Sequence, residues 1–496
     1  MATAQADEQV VGFLLAMAGE GVRRIATHAS EVIIGRRDVF KLKKPLTTSY
    51  LDFSSPERRL AFCEREVAIN RRSDPQGRIY RGVRRITRTG SDGLAFDGEG
   101  PLVDAVVWMQ PFDQAGLLDR LAQEGPLAGA LVDDLAAAIA RLHAAAEIAP
   151  DAAGAARMGR VLAVNRRAFV DSGLLNAAGA EALDAAFHAA FARHAGLLDR
   201  RAAAGCVRRC HGDLHLSNIC RIDGEPVIFD ALEFDEDLAT TDILYDVAFA
   251  LMDLRHRGQA VAANRLMNRW CDATGDEAGL AALPFLVAVR AAVRAHVAAS
   301  AGDMAKGEAY LALARSALAP VPARLVAVGG LSGSGKSSLA GALAPRLGGL
   351  PGARILSSDR IRKQMFGVGA LERLGPEAYR PEVSSAVYGA MRQRAAALLA
   401  SGVPVVADAV HARAEEREAI AAVAVAAGVP FHGIWLDLPA DRLAARVASR
   451  QGDPSDATVE TVAAQQAYDL GAITWERLDA SRPSARILAA AISSLD

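Results

Sequence analysis

The chain has 496 residues, of which 51% are apolar and 23% charged, with a net charge of −2. This length exceeds what one hydrophobic core serves, so two or three domains are expected, and the composition excludes a disordered chain. The near-neutral balance gives no general affinity for polyanions.

Close to the N-terminus, Val10 to Ala18 is apolar but short. It follows Asp7 and Glu8 rather than a basic segment, so it does not read as a secretory leader. Residues 20 to 112 then alternate turns with strand-like runs (Glu31 to Gly35, Asp38 to Leu42, Ala105 to Met109) around one helix-like segment, Pro56 to Arg71. From 115 to 318 the pattern is mostly helical. Pro320 and Pro322 stop the last helix, which places a linker at 319–323 between domains 1–318 and 324–496. Beyond it, strands at Leu325 to Gly329, Arg354 to Ser357, Val403 to Ala407 and Phe431 to Leu438 alternate with helices such as Lys336 to Leu347 and Arg413 to Ala427. That alternation implies a parallel sheet with crossover helices. Ala419 to Phe431, broken by Gly428 and Pro430, is too short to span a bilayer and reads as a buried helix running into a strand, so no membrane partner is expected. The five cysteines (63, 206, 210, 220, 271) show no CxxC pair and no ligand spacing with histidine. They read as reduced core thiols in a cytoplasmic protein.

Two segments carry chemistry. The first is His211-Gly212-Asp213 with Asn218 five residues after the aspartate, followed by Asp230 at the end of the strand Pro226 to Phe229. Phosphoryl transfer to a hydroxyl needs an acceptor held in line, a base or orienter, and metal ions on the phosphates. Asp213 fits the base, and Asn218 and Asp230 fit two Mg²⁺ contacts, at the spacing of a kinase catalytic loop. Upstream, Lys41 or Lys43 would hold the α- and β-phosphates, paired with Glu66 or Glu64. Met109, within Trp108-Met109-Gln110-Pro111, would meet adenine through the backbone of an interlobe connector, and Thr27 to Ser30 would stand in for a glycine-rich loop. Glu233 is either a further metal contact or an acidic wall, and the run Glu233, Asp235, Glu236, Asp237 reads as a solvated turn. Histidines 28, 143, 188, 194, 256, 296, 411 and 432 show no ligand spacing; His215 lies within the loop and would shape it.

The second segment is Gly330-Leu331-Ser332-Gly333-Ser334-Gly335-Lys336-Ser337-Ser338, between an apolar strand and a helix. Its glycines let backbone N–H groups turn in around phosphate oxygens, Lys336 reaches the β- and γ-phosphates, and Ser337 ligates Mg²⁺. Asp408 and Asp359 each end a strand at the sheet edge where ligands of open α/β sheets bind. One would organise Mg²⁺ and the other would orient or deprotonate an acceptor hydroxyl. Arg442, Arg446 and Arg450 recur every four residues, as on one helix face, and suit a lid over the γ-phosphate. Gly452 to Ala457 after them is polar and turn-prone.

Residues 20–300, most strongly 211–250, resemble the aminoglycoside phosphotransferase group of kinase-like enzymes, in which Asp246 matches a recurrent structural element. Residues 324–475 resemble small P-loop kinases of the zeta-toxin, gluconate-kinase and polynucleotide-5′-kinase kind. On that resemblance Asp359 and Arg362 face the acceptor, Arg446 and Arg450 form the lid, and Asp408 is left for the metal. The order of the two segments resembles a bacterial two-domain family, the bifunctional aminoglycoside phosphotransferase/ATP-binding proteins. The resemblance implies a multidomain architecture: an α+β protein-kinase-like domain with a β-rich lobe and a helical lobe, then an α/β P-loop domain. It also implies an ATP- and Mg²⁺-dependent phosphotransferase with one nucleotide per domain and small-molecule acceptors. A polynucleotide 5′ end is the nucleic-acid acceptor open to the P-loop domain. The alternatives are one kinase with a regulatory nucleotide-binding P-loop module, or a P-loop kinase regulated by the kinase-like domain.

Overall fold

The structure, a computed structural model, describes residues 2–27, 29–47, 52–90, 93–151, 153–450 and 452–495. It packs into two compact units, one of residues 1–161 and 195–257, the other of residues 162–194 and 258–496. The proline-marked segment 319–323 therefore lies inside the second unit.

In the first unit, α1 (Ala2–Ala18) precedes β1 (Arg23–Ala26), β2 (Ser30–Ile34) and β3 (Val39–Lys43). Next come α2 (Pro56–Asn70), β4 (Tyr80–Thr89), β5 (Gly93–Phe96) and β6 (Leu102–Met109). The six strands form one antiparallel sheet in the order β1-β2-β3-β6-β4-β5. Alternation along β3 decides what each face does. Phe40 and Leu42 join Val10 and Leu14 of α1 in one buried cluster, whereas Val39 packs with Cys63 and Val67 of α2 on the other face. Lys41 and Lys43 share the face of Val39, so both point at α2. Ser55 caps α2 by accepting the Arg58 N–H at 3.3 Å, with Pro56 at its first position. The chain continues through α3 (Leu118–Glu124), α4 (Gly129–Ala145), α5 (Gly154–Asp171) and α6 (Ala177–Ala203), of which residues 162–194 belong to the second unit. Strands β7 (Val207–Arg209), β8 (Ile219–Ile222) and β9 (Glu225–Ile228) follow, then α7 (Glu236–Ala239), β10 (Thr240–Asp242) and α8 (Ile243–His256). The hairpin β8-β9 carries the segment from Asn218 to Asp230.

The second unit contains α9 (Ala260–Thr274), α10 (Leu283–Ser300) and α11 (Met304–Leu318), then β11 (Leu325–Gly329), α12 (Lys336–Leu343), β12 (Arg354–Ser357), α13 (Ser358–Met365) and α14 (Pro381–Ala400). It closes with β13 (Val405–Asp408), α15 (Ala414–Ala427), β14 (Phe431–Asp437), α16 (Ala440–Ala448), α17 (Val459–Gln466), β15 (Glu476–Asp479) and α18 (Ser484–Ser493). Its five strands are all parallel, in the order β12-β13-β11-β14-β15. Val326, Val328, Val406 and Ile434 of the sheet pack against Leu339 and Leu343 of α12. Leu280–Ser300 is long and apolar enough to cross a bilayer, yet 72% of it is buried inside the fold, as in a core helix.

Helix α9 is built into this sheet. Asn268 Oδ1 accepts the Ile355 N–H at 2.7 Å, and the Asn264 amide donates to the Ala353 carbonyl at 2.9 Å. Arg354, 1% exposed, reaches Asp272 at 2.6 Å and Glu277 at 2.7 Å and donates to Asn268 Oδ1 at 2.9 Å.

Two expectations are corrected. Helix α15 is not buried throughout: Arg417, Ile420 and Ala424, three and four residues apart, form its one buried face, and Val425 is 79% exposed. Arg442, Arg446 and Arg450 do not share one helical face, because α16 stops at Ala448 with Ser449 as its cap and Arg450 lies beyond it.

Two histidines of this unit are held neutral by burial. His411, fully buried with neither ring nitrogen hydrogen-bonded among the described residues, lies edge-on to Tyr388 and Trp475 and is lowered by burial to about 3; Lys336, Arg417 and Arg392 add to the effect. His296, against the Asn165 side chain at 3.1 Å, is lowered by burial to about 4. A histidine depressed in the folded state stabilises above its ordinary value near 6.5, and that contribution is lost as pH falls toward the folded value. Stability of this unit is expected to fall below pH 6.5 by up to ~1.4 kcal/mol per pH unit for each histidine. Denaturant midpoints measured from pH 7 to 4 check this, with a shallower slope in His411→Gln and in His296→Gln.

Candidate active sites

In the first unit the β3 lysines and α2 meet the end of the β8-β9 hairpin. Lys41 Nζ donates to Glu66 Oε1 at 2.8 Å and to Asp230 Oδ1 at 2.6 Å. Lys43 Nζ donates to Glu66 Oε2 at 2.7 Å and to Glu233. Both lysines contact Glu66, and among the described residues Lys41 is the one of the two that reaches Asp230. Burial alone would push the Glu66 carboxyl up, but the two ammonium groups hold it down at about 2. Glu233 is not part of a solvated turn. It is 7% exposed on Lys43, and burial together with the Glu66 charge pushes its carboxyl up. Asp235 caps α7 through the Leu238 N–H at 3.0 Å, and Glu236 pairs with Arg65.

Asp230 has a left-handed backbone (φ +61°), rare for a residue other than glycine. Neighbours on both sides fix it there: its N–H donates to the Tyr80 hydroxyl at 3.1 Å, and the next N–H, of Ala231, donates to Asn70 Oδ1 at 2.9 Å. Asn70 ends α2, so the helix that presents Glu66 also sets the backbone that presents Asp230.

The loop around Asp213 is bound from below. Asp246 accepts the Gly212 N–H at 2.9 Å and the His211 N–H at 3.3 Å, and lies 3.1 Å from His143 Nε2. Asp253 accepts the Leu216 N–H at 3.0 Å. His211 accepts the Asp213 N–H on Nδ1 at 3.3 Å, so its proton sits on Nε2 and is donated to the Phe229 carbonyl at 2.9 Å. Burial lowers this histidine, in keeping with the neutral ring. Asn218 Nδ2 donates to both the Asp213 carbonyl and Asp213 Oδ2 at 3.0 Å, and His215 Nε2 lies 3.3 Å from the same Oδ2. Asp213 remains 39% exposed. The fold also places Cys210 beside His143 and Asp246, with ligand atoms within 4.8 Å, a grouping that sequence spacing did not show; the Asp246 oxygens there are taken up by the catalytic-loop N–H groups.

Met109 ends β6 and is buried, and the Gln110 N–H just after it is committed to the Ile79 carbonyl at 2.7 Å. Thr27 forms the β1-β2 turn with Ser30, its hydroxyl donating to the Ser30 carbonyl at 2.9 Å; His28 lies outside the described residues. Glu64 is exposed on α2 and has no part in the lysine cluster among the described residues.

In the second unit the parallel register brings the acidic residues to one edge. Ser357 of β12 pairs with Asp408 of β13, and Val328 of β11 pairs with Asp408 on its other side. The P-loop therefore leaves β11 beside Asp408, and Asp359 follows one residue after Ser358 in the first turn of α13. Ser337 Oγ donates to Asp408 Oδ2 at 2.7 Å. Burial raises the Asp408 carboxyl against the pull of Lys336, with Asp359 and Asp453 adding to the rise. Lys336, lowered by burial, donates to the Leu331 carbonyl at 3.1 Å. The Ser332 N–H meets Gln465 Oε1 at 2.8 Å, and Ser334 Oγ is buried with no hydrogen-bond partner among the described residues. Arg446 reaches the Ser334 carbonyl at 3.4 Å and the Ala480 carbonyl at 2.9 Å; Arg450 lies 3.7 Å from Asp453. Both arginines and Ser338 border a cleft of about 1430 Å³ that includes Lys336, Asp359 and Asp408.

Gly333 sits at φ +90°, and a Cβ there would lie 2.7 Å from the Leu443 carbonyl on α16. Gly333→Ala is expected to weaken nucleotide binding at this loop at least tenfold, measured by titration calorimetry, with the first unit's nucleotide affinity unchanged.

Several contributors left no sequence signal because they act across long separations: Tyr80 and Asn70 on Asp230, Gln465 on the P-loop, and Asp456 on the cleft wall. Asp456 gives the polar segment after α16 a place. It takes Lys363 at 2.6 Å, the Leu374 N–H at 3.1 Å and the Tyr379 hydroxyl, which hold its carboxyl low against burial.

A lysine–glutamate pair with an HxD loop in one unit, and a P-loop in the other, are parts of a kinase that uses ATP. Residues 51–283 match the model of the phosphotransferase enzyme family, and residues 325–469 match that of an AAA domain. Uncharacterized proteins of Mycobacterium tuberculosis and Mycobacterium bovis are 29% identical over 479 residues, 93% of this chain and 92% of theirs. Among solved structures, a glucosamine kinase is 17% identical over 60% of this chain and 77% of its own, with a TM-score of 0.37. A gluconokinase from Sinorhizobium meliloti is 25% identical over 36% of this chain and 93% of its own, with a TM-score of 0.25.

Proposed function

We propose that the chain is a cytoplasmic phosphotransferase with two ATP- and Mg²⁺-dependent sites, each acting on a hydroxyl of a small molecule. The observation that supports this reading is that each unit gathers a buried lysine, oxygen donors suited to a metal ion and an accessible carboxylate. Asn218 and Asp230 in the first unit, and Ser337 with Asp408 at 2.7 Å in the second, are hard oxygen donors of the kind Mg²⁺ takes. The Ser334 hydroxyl, without a partner among the described residues, and the cradle that a Gly333 side chain would fill suit phosphate oxygens. When bound, Mg²⁺ neutralises charge on the β- and γ-phosphates.

In the first unit Glu66 holds Lys41 at the phosphates, and Asp213, oriented by Asn218 and His215, takes the acceptor proton. In the second, Lys336 and Arg446 bind the phosphates and Asp359 faces the acceptor. Domains at 1–318 and 324–496 describe the two sites' sequences, although helices α9 to α11 pack with the second. The test is a screen of sugars, aminoglycosides, amino alcohols and nucleosides for acceptor-dependent ADP release by wild type, Asp213→Ala and Lys336→Ala. Each variant is expected to lose one set of acceptors and keep the other. Persistence of every phosphorylation in Lys336→Ala, with no nucleotide bound at the P-loop, overturns the second transfer and leaves a regulatory module.

A further inference from the structure

Lys43 is a charged residue to which the transfer chemistry of the first unit gives no task. Its side chain is 0% exposed, against 14% for Lys41, so no phosphate reaches it and it is not a second phosphate-binding lysine. Its ammonium is enclosed by Glu66 Oε2 at 2.7 Å, by Glu233, and by the Phe53 ring, whose centroid lies 5.1 Å away. Sealing an ammonium and two carboxylates from water does not by itself stabilise a fold, since apolar residues of similar volume often serve as well or better. The arrangement is explained instead by what it does to its neighbours. Glu66, fully buried, gives one oxygen to each lysine, Oε1 to Lys41 and Oε2 to Lys43. A buried carboxylate oxygen without a donor is costly. Removal of Lys43 would therefore let Glu66 turn both oxygens onto Lys41 and draw it away from Asp230. At the other end of the pair, Glu233 lies three residues after Asp230. The Lys43–Glu233 contact is thus a third tie on the segment that presents Asp230, beside the Tyr80 hydroxyl on the Asp230 N–H and Asn70 on the Ala231 N–H. Lys43 joins that segment to the same glutamate that sets Lys41.

We infer that Lys43 and Glu233 are positioning residues for the nucleotide site of the first unit. They touch neither phosphate nor metal; they hold Glu66 and residues 230–233 so that Lys41 and Asp230 meet the nucleotide together. This rests on the nucleotide site proposed for that unit and goes beyond it by assigning a sealed second ion pair to its assembly. Lys41 bonds both Glu66 and Asp230, at 2.8 and 2.6 Å, so a shift of either carboxylate passes to it directly.

The experiment uses the full chain carrying Lys336→Ala, so that nucleotide binding reports the first unit. The probe is the β,γ-imido analogue of ATP with Mg²⁺, titrated by calorimetry. Lys43→Met is expected to raise Kd about tenfold, whereas in a Lys41→Met background it is expected to change Kd less than about twofold, because the residue through which it acts is gone. A merely structural role lowers affinity in both backgrounds by the same factor, and that result overturns the inference. Lys43→Met/Glu233→Met removes both ends of the pair and leaves neither of them charged, which guards against a folding defect. Its unfolding midpoint is expected to stay close to the parent's while Kd remains raised about tenfold, since Glu66 Oε2 is still released. Where Lys41→Met alone abolishes binding, this pair variant decides. Parental affinity in the pair variant overturns the inference, and so does a pair variant that does not fold, which marks the two residues as structural. If the parent itself binds no Mg²⁺-nucleotide, the first unit's site falls and the positioning role with it. If the parent binds and every Lys43 variant binds equally, the positioning role alone falls.

Discussion

Arg354→Ala is expected to destabilise the second unit by about 3 kcal/mol or more, the cost of removing one partner from a buried ion network. Arg354 is the hub of that network: it joins Asp272, Glu277 and Asn268 to strand β12, while Arg360 and Arg394 meet the same two carboxylates at 3.3 and 2.6 Å. Its loss leaves the largely buried Asp272 and Glu277 with the cations at their margins, Arg269, Arg360 and Arg394. Burial alone would raise both carboxyls, and Arg354 is among the charges that keep them low. Denaturant unfolding followed by the fluorescence of the buried Trp270 and Trp435 reads the change directly. The same reasoning predicts that an isolated fragment of residues 324–496, which lacks Asn268, Asp272 and Glu277, does not reach the stability of the intact unit. A fragment with an unchanged unfolding midpoint would falsify the account.

Asp213→Ala is expected to lower transfer by the first unit roughly 100- to 10,000-fold, the usual contribution of a positioned general base. Asp213→Asn sharpens the result. Its amide keeps the size of the side chain and still accepts the Asn218 and His215 contacts through one oxygen, but it cannot take a proton. An equal loss in both variants marks Asp213 as a base; substantial activity in Asp213→Asn marks it as an orienter only. Nucleotide affinity at Lys336 is expected to be unchanged in both, which separates the chemical effect from a folding defect.

How much of this was legible in the sequence follows the range of each interaction. The P-loop and the HxD loop are local devices whose spacing is imposed by backbone geometry, so strand, turn and helix around Gly330 to Ser337 were readable in order. The two-residue period of β3 placed Lys41 and Lys43 on one face. It did not reveal that Glu66 contacts both, because Glu233 arrives from 190 residues away to hold Lys43. The end of α16 was misread because a four-residue arginine spacing continues past Ala448, where backbone capping and not side-chain pattern stops the helix. Tyr80, Asn70 and Asp456 act through single long-range hydrogen bonds, which leave no periodic trace. The packing of α9 on β12 was equally silent, since Asn264 and Asn268 look like ordinary polar positions of an amphipathic helix.

That packing has a consequence for self-association. A sheet's outermost strand exposes a row of unpaired amides and carbonyls, a template on which another chain's strand adds. Here β12 is outermost on one side, and the amides of Asn264 and Asn268 occupy the Ala353 carbonyl and the Ile355 N–H where an intruding strand would pair. On the far side β15 is only four residues long and bears Glu476, Arg477 and Asp479. The sheet is thus finished at both margins, one by grafted side-chain amides and one by charge, and loss of the two asparagines would turn a closed border into an adhesive one.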